Sequence, residues 1–259
     1  VGAIQCRQKE AIGVQTQMIF KRYELKYLLT AEQKGWLFEQ LQPYVTPDEY
    51  GKTVIRNLYY DTENFRLIRR SLEQPAYKEK LRIRAYHRAT GEDSVFVELK
   101  KKADAVVYKR RMVLPAQQAT AWLAGREPPP VQTQIAEEIR YFRDYYATLR
   151  PTVFLSYARE AFYLRDDDKV RITFDENILS RRRALTLDSE PWGTPLLPQG
   201  QTLLEIKTAG AIPLWLTHLL TQAHIYKTSF SKYGVAYMTM IYPFSHTNNQ
   251  PEGRDYQYA

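Results

Sequence analysis

The chain has 259 residues, 44% hydrophobic and 25% charged, which is enough apolar material for one large domain with a buried core. Its 37 Lys and Arg exceed its 29 Asp and Glu for a net charge of +8, a balance that favours polyanions such as nucleic acid, anionic lipid or phosphorylated metabolites. The single cysteine, Cys6, excludes an intrachain disulfide and a cysteine-based metal site, and no apolar run approaches the ~18 residues that a membrane helix requires.

In chain order, residues 1–19 read as a tail without the apolar core of a signal peptide. That and the lone cysteine fit a cytoplasmic location. Phe20–Leu29 reads as a strand. Thr30 and Gln33 form a capping-box pattern for a helix over Ala31–Leu41, with Trp36, Leu37 and Leu41 on one face and Pro43 as the stop. Short strands follow at Val54–Tyr60, Glu79–His87, Ser94–Lys101 and Val106–Val113. Turns are expected at Gly91-Glu92-Asp93 and Asp104-Ala105. Pro115 opens a helix through Leu123, Pro128–Pro130 is a rigid loop, and Gln132–Leu149 carries apolar residues at helical spacing. Further strands are expected at Thr152–Tyr163, Val170–Asp175 and Thr202–Thr208, then a helix from Pro213 to Ala223. Residues 245–259 read as a polar tail. Eight or so short strands with these helices predict an α+β domain over residues 20–244, its sheet a closed barrel or a sandwich.

Successive strand residues point to opposite faces, so each strand can be read for the face that carries its charges. Arg22, Glu24 and Lys26 alternate with Tyr23, Leu25 and Tyr27. Lys80, Arg82 and Arg84 alternate with Leu81 and Ile83, and Glu98 and Lys100 alternate with Val97 and Leu99. Lys109 with Arg111, Tyr157 with Arg159, Arg171 with Asp175, and Glu205 with Lys207 share a face within their own strands. For one strand alone, a solvated outer face is the simpler reading. Repeated in nearly every strand, with cations predominating, the pattern also suits an inward face neutralised by a bound anion, because uncompensated buried cations cost several kcal/mol each.

Arg and Lys supply the donors that phosphate oxygens need. Glu24, Glu98, Asp175 and Glu205 make sense if a hard divalent cation bridges carboxylate and phosphate oxygens. The chain has no Walker A loop and no GxGxxG, and His87, His218, His224 and His246 lack metal-ligand spacing. Most tyrosines fall on the face opposite the charges, which argues against specific nucleic-acid recognition.

The series RYELKY from Arg22, NLYYDTENFRLIRRSL from Asn57, KLRIRAY from Lys80, FVELKKK from Phe96, VVYKRRM from Val106, LSYAREAF, VRITFDENI, LLEIKT and SFSKYGVAYM resembles, in order, the catalytic domain of the vacuolar transporter chaperone (VTC) family. That domain is a triphosphate tunnel, or CYTH-like, metalloenzyme. The resemblance implies an eight-stranded antiparallel barrel, or tunnel, with helices packed outside. It implies a polyphosphate polymerase that moves the γ-phosphoryl of ATP onto a growing polyphosphate chain with Mn2+ or Mg2+. A triphosphatase and a non-catalytic polyphosphate-binding barrel are the alternatives. Carried over by motif, Lys26, Arg82, Arg84, Lys100, Lys109, Arg159 and Lys232 form the catalytic phosphate cage. Arg22, Arg70, Arg111, Arg171 and Lys207 are further phosphate contacts, with Arg69 competing with Arg70. Glu205 is the main metal ligand, supported by Glu98 and Glu24. A membrane-protein partner is implied; the oligomeric state is left open. The wider superfamily begins its first strand Glu-x-Glu-x-Lys. Here Arg22 stands for the first Glu, which weakens a two-carboxylate metal site on that strand and favours the VTC branch.

Overall fold

The computed structural model describes residues 23–103, 106–129, 131–167 and 169–245. The two expected tails, apart from Ser245, Arg22 and the Asp104-Ala105 turn lie outside the described residues.

The chain opens with β1 (Tyr23–Leu29) and α1 (Ala31–Leu41). The capping box forms as read: Thr30 Oγ1 accepts from Gln33 N at 3.1 Å, and Gln33 Oε1 accepts from Thr30 N at 3.0 Å. Next come β2 (Val45–Pro47), β3 (Thr53–Asp61), α2 (Arg66–Leu72), β4 (Tyr77–Ala85), β5 (Ser94–Ala103), β6 (Val106–Pro115) and α3 (Ala116–Leu123). Then α4 spans Gln134–Tyr146. It is shorter than the expected helix because Ala147 turns at φ 51° to start β7 (Arg150–Leu164). β8 runs over Arg171–Arg181, beyond the expected end at Asp175, and pairs late with β9 (Thr194–Pro195). β10 (Thr202–Thr208), α5 (Leu214–Gln222), α6 (Lys232–Met240) and α7 (Tyr242–Ser245) complete the described chain.

All pairings are antiparallel, along the path β1-β10-β8-β7-β3-β4-β5-β6, with β2 added to β7 and β9 to β8. Strand pairing does not close this path into the expected eight-stranded barrel, because its ends, β1 and β6, are not hydrogen-bonded neighbours among the described residues. The outer edge of β1 is instead taken by the segment before α6: Tyr27 bridges Lys227, and Thr228 N donates to Lys26 O at 2.7 Å. The sheet is nonetheless strongly curved. Lys100 Nζ of β5 lies 3.2 Å from Glu24 Oε1 of β1, which brings opposite parts of the sheet together across its concave side.

Two apolar clusters sit on the convex side. In one, Leu81, Ile83, Val97 and Leu99 pack with Trp122 of α3 and Ile139 and Phe142 of α4. In the other, Phe174, Leu204 and Ile206 pack with Leu37 and Leu41 of α1 and Leu216 and Leu220 of α5. Burying those faces is what holds the charged face inward. A third cluster, Tyr59, Val153, Leu155 and Tyr157 with Ile68 of α2 and Tyr233 and Tyr237 of α6, lies on the concave side and stops one end of it. No helix among the described residues is long and apolar enough to cross a membrane.

Candidate phosphate-binding site

Strand register brings the sequence-predicted charges together. Lys80 faces Lys100, which faces Lys109, and Arg82 faces Glu98, which faces Arg111. On the other wall Lys26 faces Glu205, which faces Thr173; Glu24 faces Lys207, which faces Arg171; and Arg159 faces Asp175. Lys232 enters from the first turn of α6, whose N-terminus Ser231 Oγ caps through Gly234 N at 3.2 Å. Among the described residues the face therefore holds Lys26, Lys80, Arg82, Arg84, Lys100, Lys109, Arg111, Arg159, Arg171, Lys207 and Lys232 against Glu24, Glu98, Asp175 and Glu205, with Asp48 at the Arg171 end.

The carboxylates form three centres. Glu98, 1% exposed, takes Arg82 Nη2 at 2.7 Å and Lys109 Nζ at 2.8 Å, a short bond from Arg111 Nη2, and Arg84 Nε at 3.8 Å. Burial pushes its pKa up, but Arg82, Arg84 and Lys109 outweigh that and hold it well below the carboxylate range. Asp175 and Glu205 share Lys232 Nζ, at 2.5 and 2.9 Å, and Arg159, whose Nε is 2.6 Å from Asp175 and whose Nη2 is 3.3 Å from Glu205. Lys207 Nζ adds 3.3 Å to Glu205. Burial again opposes ionisation of Glu205, and Lys232, Lys207 and Arg159 overcome it. Glu24 pairs with Lys100; burial raises its pKa, but Lys100 and Lys207 bring it down to about 2.

With so few acids, several cations are under-neutralised. Lys80 Nζ has Ser231 Oγ at 3.1 Å as its hydrogen-bond acceptor; burial first, then the charges of Lys26 and Lys100, bring its pKa down to about 7. Lys26 Nζ donates to Phe230 O at 2.6 Å, and burial lowers its pKa too. Burial carries Lys109 to about 7 and Lys207 to about 8 despite their carboxylate neighbours. Buried cations depressed in this way recover their charge when an anion replaces the lost water. Arg171 pairs through Nη2 with Asp48, from the loop after β2, at 2.5 Å.

Arg70 is placed elsewhere. It is exposed on α2 and lines an outer cleft with Tyr77, Glu79, Lys101 and tyrosines of α4. Its neighbour Arg69 is also exposed. Lys80 was absent from the sequence-derived cage although it shares a face with Arg82 and Arg84; the alternation already carried the signal. Asp48 and the acceptor Ser231 lie in loop and cap positions, where no periodicity marks them. A buried support also had no sequence signal: Asp61 accepts from Leu67 N at 2.9 Å, Ile68 N at 3.0 Å and Tyr233 Oη at 2.9 Å, tying α2 to α6.

Among the described residues no three His, Cys, Asp or Glu side chains converge as a metal-ion site. Glu24, Glu98 and Glu205 therefore do not make a protein-only cage; Glu98 belongs to its own cluster of arginines and Lys109. Glu205 and Asp175 lie side by side with their oxygens engaged by Lys232, Lys207 and Arg159, so a divalent cation there would have to displace some of these cations and draw its remaining oxygens from a bound phosphate chain, as is common for Mg2+.

The chain shares its fold with a solved structure. The "putative adenylate cyclase" of Bacillus halodurans superposes with a TM-score of 0.53 at 18% identity, over 83% of this chain and 95% of that one. A second "putative adenylate cyclase", from Vibrio parahaemolyticus, gives a TM-score of 0.47 at 11% identity, over 85% of this chain and 98% of that one. No curated protein matches significantly in sequence. The sequence matches the VTC domain over residues 21–241, nearly all of the described fold, and the chain belongs to the VTC family.

Proposed function

We propose that this protein is a metal-dependent polyphosphate polymerase that transfers the γ-phosphoryl of ATP to a growing polyphosphate chain along its concave cationic face. The observation that carries the reading is the in-register convergence of cations from β1, β4, β5, β6, β7, β8, β10 and α6, several of them buried without a full carboxylate partner. A linear phosphate polymer neutralises such a face along its whole length. Phosphoryl transfer is mainly positioning plus electrostatics, so this face needs few other catalytic groups.

In this reading Arg82, Arg84, Arg111 and Lys109 hold one stretch of phosphates beside Glu98, and Lys26, Lys80, Lys100, Lys207, Lys232 and Arg159 hold the next. These groups stand ready for negative charge that spreads over the transferred phosphoryl oxygens. The acceptor is the ionised terminal oxygen of a phosphate chain, so no general base is required. Arg171, on β8 beside Lys207, extends the path, and the alternation of the first strand assigns Arg22 to the same set. A divalent cation, Mn2+ or Mg2+, held by Glu205 together with the phosphates, neutralises charge in the transition state. The reading carries with it a cytoplasmic location, where ATP is at hand, and a membrane-protein partner. The curved sheet would act as a tunnel for the chain even though strand pairing leaves its seam open.

Incubating the protein with ATP and Mn2+ and sizing the product on a gel tests this. A ladder of phosphate polymers is expected, and Glu205→Ala should lower its rate at least about tenfold. Free phosphate as the only product would replace the polymerase with a triphosphatase; tight polyphosphate binding without turnover would leave a binding barrel.

A further inference from the structure

At the end of the concave face away from α6, the side chains change from charged to aromatic. Arg84 of β4, Phe96 of β5 and Val113 of β6 lie in register, and Tyr86 follows two residues after Arg84 on the same face. Tyr86 and Phe96 meet edge to face with ring centroids 5.4 Å apart. The Arg111 guanidinium lies 4.5 Å from the Phe96 centroid, and Arg84 lies 6.0 Å from that of Tyr86. Arg111 Nη2 also donates to Tyr86 Oη at 3.3 Å. This lip is open: Val113 is 54% exposed and Tyr86 37%, and Phe96 is only partly buried. Unlike the apolar cluster under α6, these partly exposed side chains belong to none of the buried cores, and phosphate binding does not explain them.

We infer that the Tyr86–Phe96–Val113 lip is a nucleobase-stacking subsite, which makes the concave face select a nucleoside triphosphate over a bare inorganic triphosphate as donor. The inference rests on the phosphate-binding reading of the same face. Phe96 precedes Glu98 by two residues, about 6.6 Å along the strand. A base stacked at the lip thus has room for its ribose before its phosphates reach Arg82, Lys109 and Arg111 around Glu98. The arginines already packed on the two rings orient them and add a cationic edge that suits both the base and the first phosphate. Stacking is tolerant of base identity because every base presents a π-face, so nucleoside triphosphates in general fit this lip. No hydrogen-bonding reader of the base edge is needed.

The test compares binding of ATP and of inorganic tripolyphosphate, by titration calorimetry with Mg2+, in the full chain and in its Phe96→Leu, Tyr86→Leu and Tyr86→Phe variants. The two leucine variants should weaken ATP about tenfold and leave tripolyphosphate within about twofold. Tyr86→Phe, which keeps the ring and loses only the hydroxyl's contacts to Arg111 and Arg84, should bind ATP much as the unaltered protein does. Equal weakening of both ligands in the leucine variants would overturn the inference, because it would make the lip a support for the phosphate groups. Unchanged ATP binding in both leucine variants would overturn it as well. If the unaltered chain bound neither ligand, the phosphate-binding reading itself would fall, an outcome separate from the other two.

Discussion

Lys80 shows how much a single side chain can report here. Its ammonium is buried against the like charges of Lys26, Lys100, Lys78 and Arg82, with Ser231 Oγ as its hydrogen-bond acceptor, and its pKa falls to about 7. In the unfolded chain a lysine titrates near ~10.4. Between those values the unfolded state holds more protons than the folded one, so the free protein gains stability as pH rises from about 7 towards 10 and loses it as pH falls. Lys109 and Lys207 act in the same direction. Phosphate binding runs the other way, since an anion needs these lysines charged. Chemical denaturation and polyphosphate titration in steps from about pH 6.5 to about pH 8.5 should therefore show stability rising while affinity falls. Lys80→Met should stabilise the free protein at pH 6.5, roughly the low end, flatten its pH dependence and weaken polyphosphate binding. Parallel trends in stability and affinity would remove Lys80 from the binding face.

At the scale of elements, α6 decides whether one wall of the face is complete. Ser231 caps it and accepts from Lys80, while Lys232 fills the space between Asp175 and Glu205. Its position is set by Tyr233, which stacks on Tyr59 with centroids 4.7 Å apart and donates to Asp61 at 2.9 Å. Asp61 also serves the N-terminus of α2, which has no side-chain cap of its own at Phe65. Asp61→Ala removes a buried acceptor from two helix N–H groups and a tyrosine hydroxyl. It should destabilise the fold by about 2–3 kcal/mol in urea melts. It should also reduce turnover more than polyphosphate affinity, because Lys232 loses its aim while most strand cations stay in place. Thr30, whose capping box holds only α1 on the convex side, is the matching control: Thr30→Ala should cost about 1 kcal/mol without altering turnover in the folded fraction.

For the molecule as a whole, metal and fold are separable. The described residues contain no three-acid metal cluster, and Glu205 is already satisfied by Lys232, Lys207 and Arg159. Chelation with EDTA should then abolish turnover while the thermal midpoint shifts by less than about 2 °C, whereas a protein whose core depended on bound metal would unfold. A fall in the midpoint on chelation would show a protein-only metal site. The curved sheet makes this separation possible, because convex apolar packing against α1, α3, α4 and α5 supplies the fold and leaves the concave side to the ligand.

The alternation of Lys80-Leu81-Arg82-Ile83-Arg84 and of Val97-Glu98-Leu99-Lys100 by itself determined the strands and the charged face, because the period of two is a property of extended backbone. Thr30 with Gln33 likewise determined where α1 begins, since a capping box is local. Tertiary structure decided the rest. That Glu98 belongs with the arginines and not with Glu205 depends on which strands pair and how far the sheet bends. That Arg70 faces an outer cleft depends on how α2 docks. The segment at Lys227 and Thr228 covers the edge of β1, and among the described residues β1 and β6 do not pair with each other, a use of backbone hydrogen bonds by residues some two hundred positions apart that no local pattern encodes.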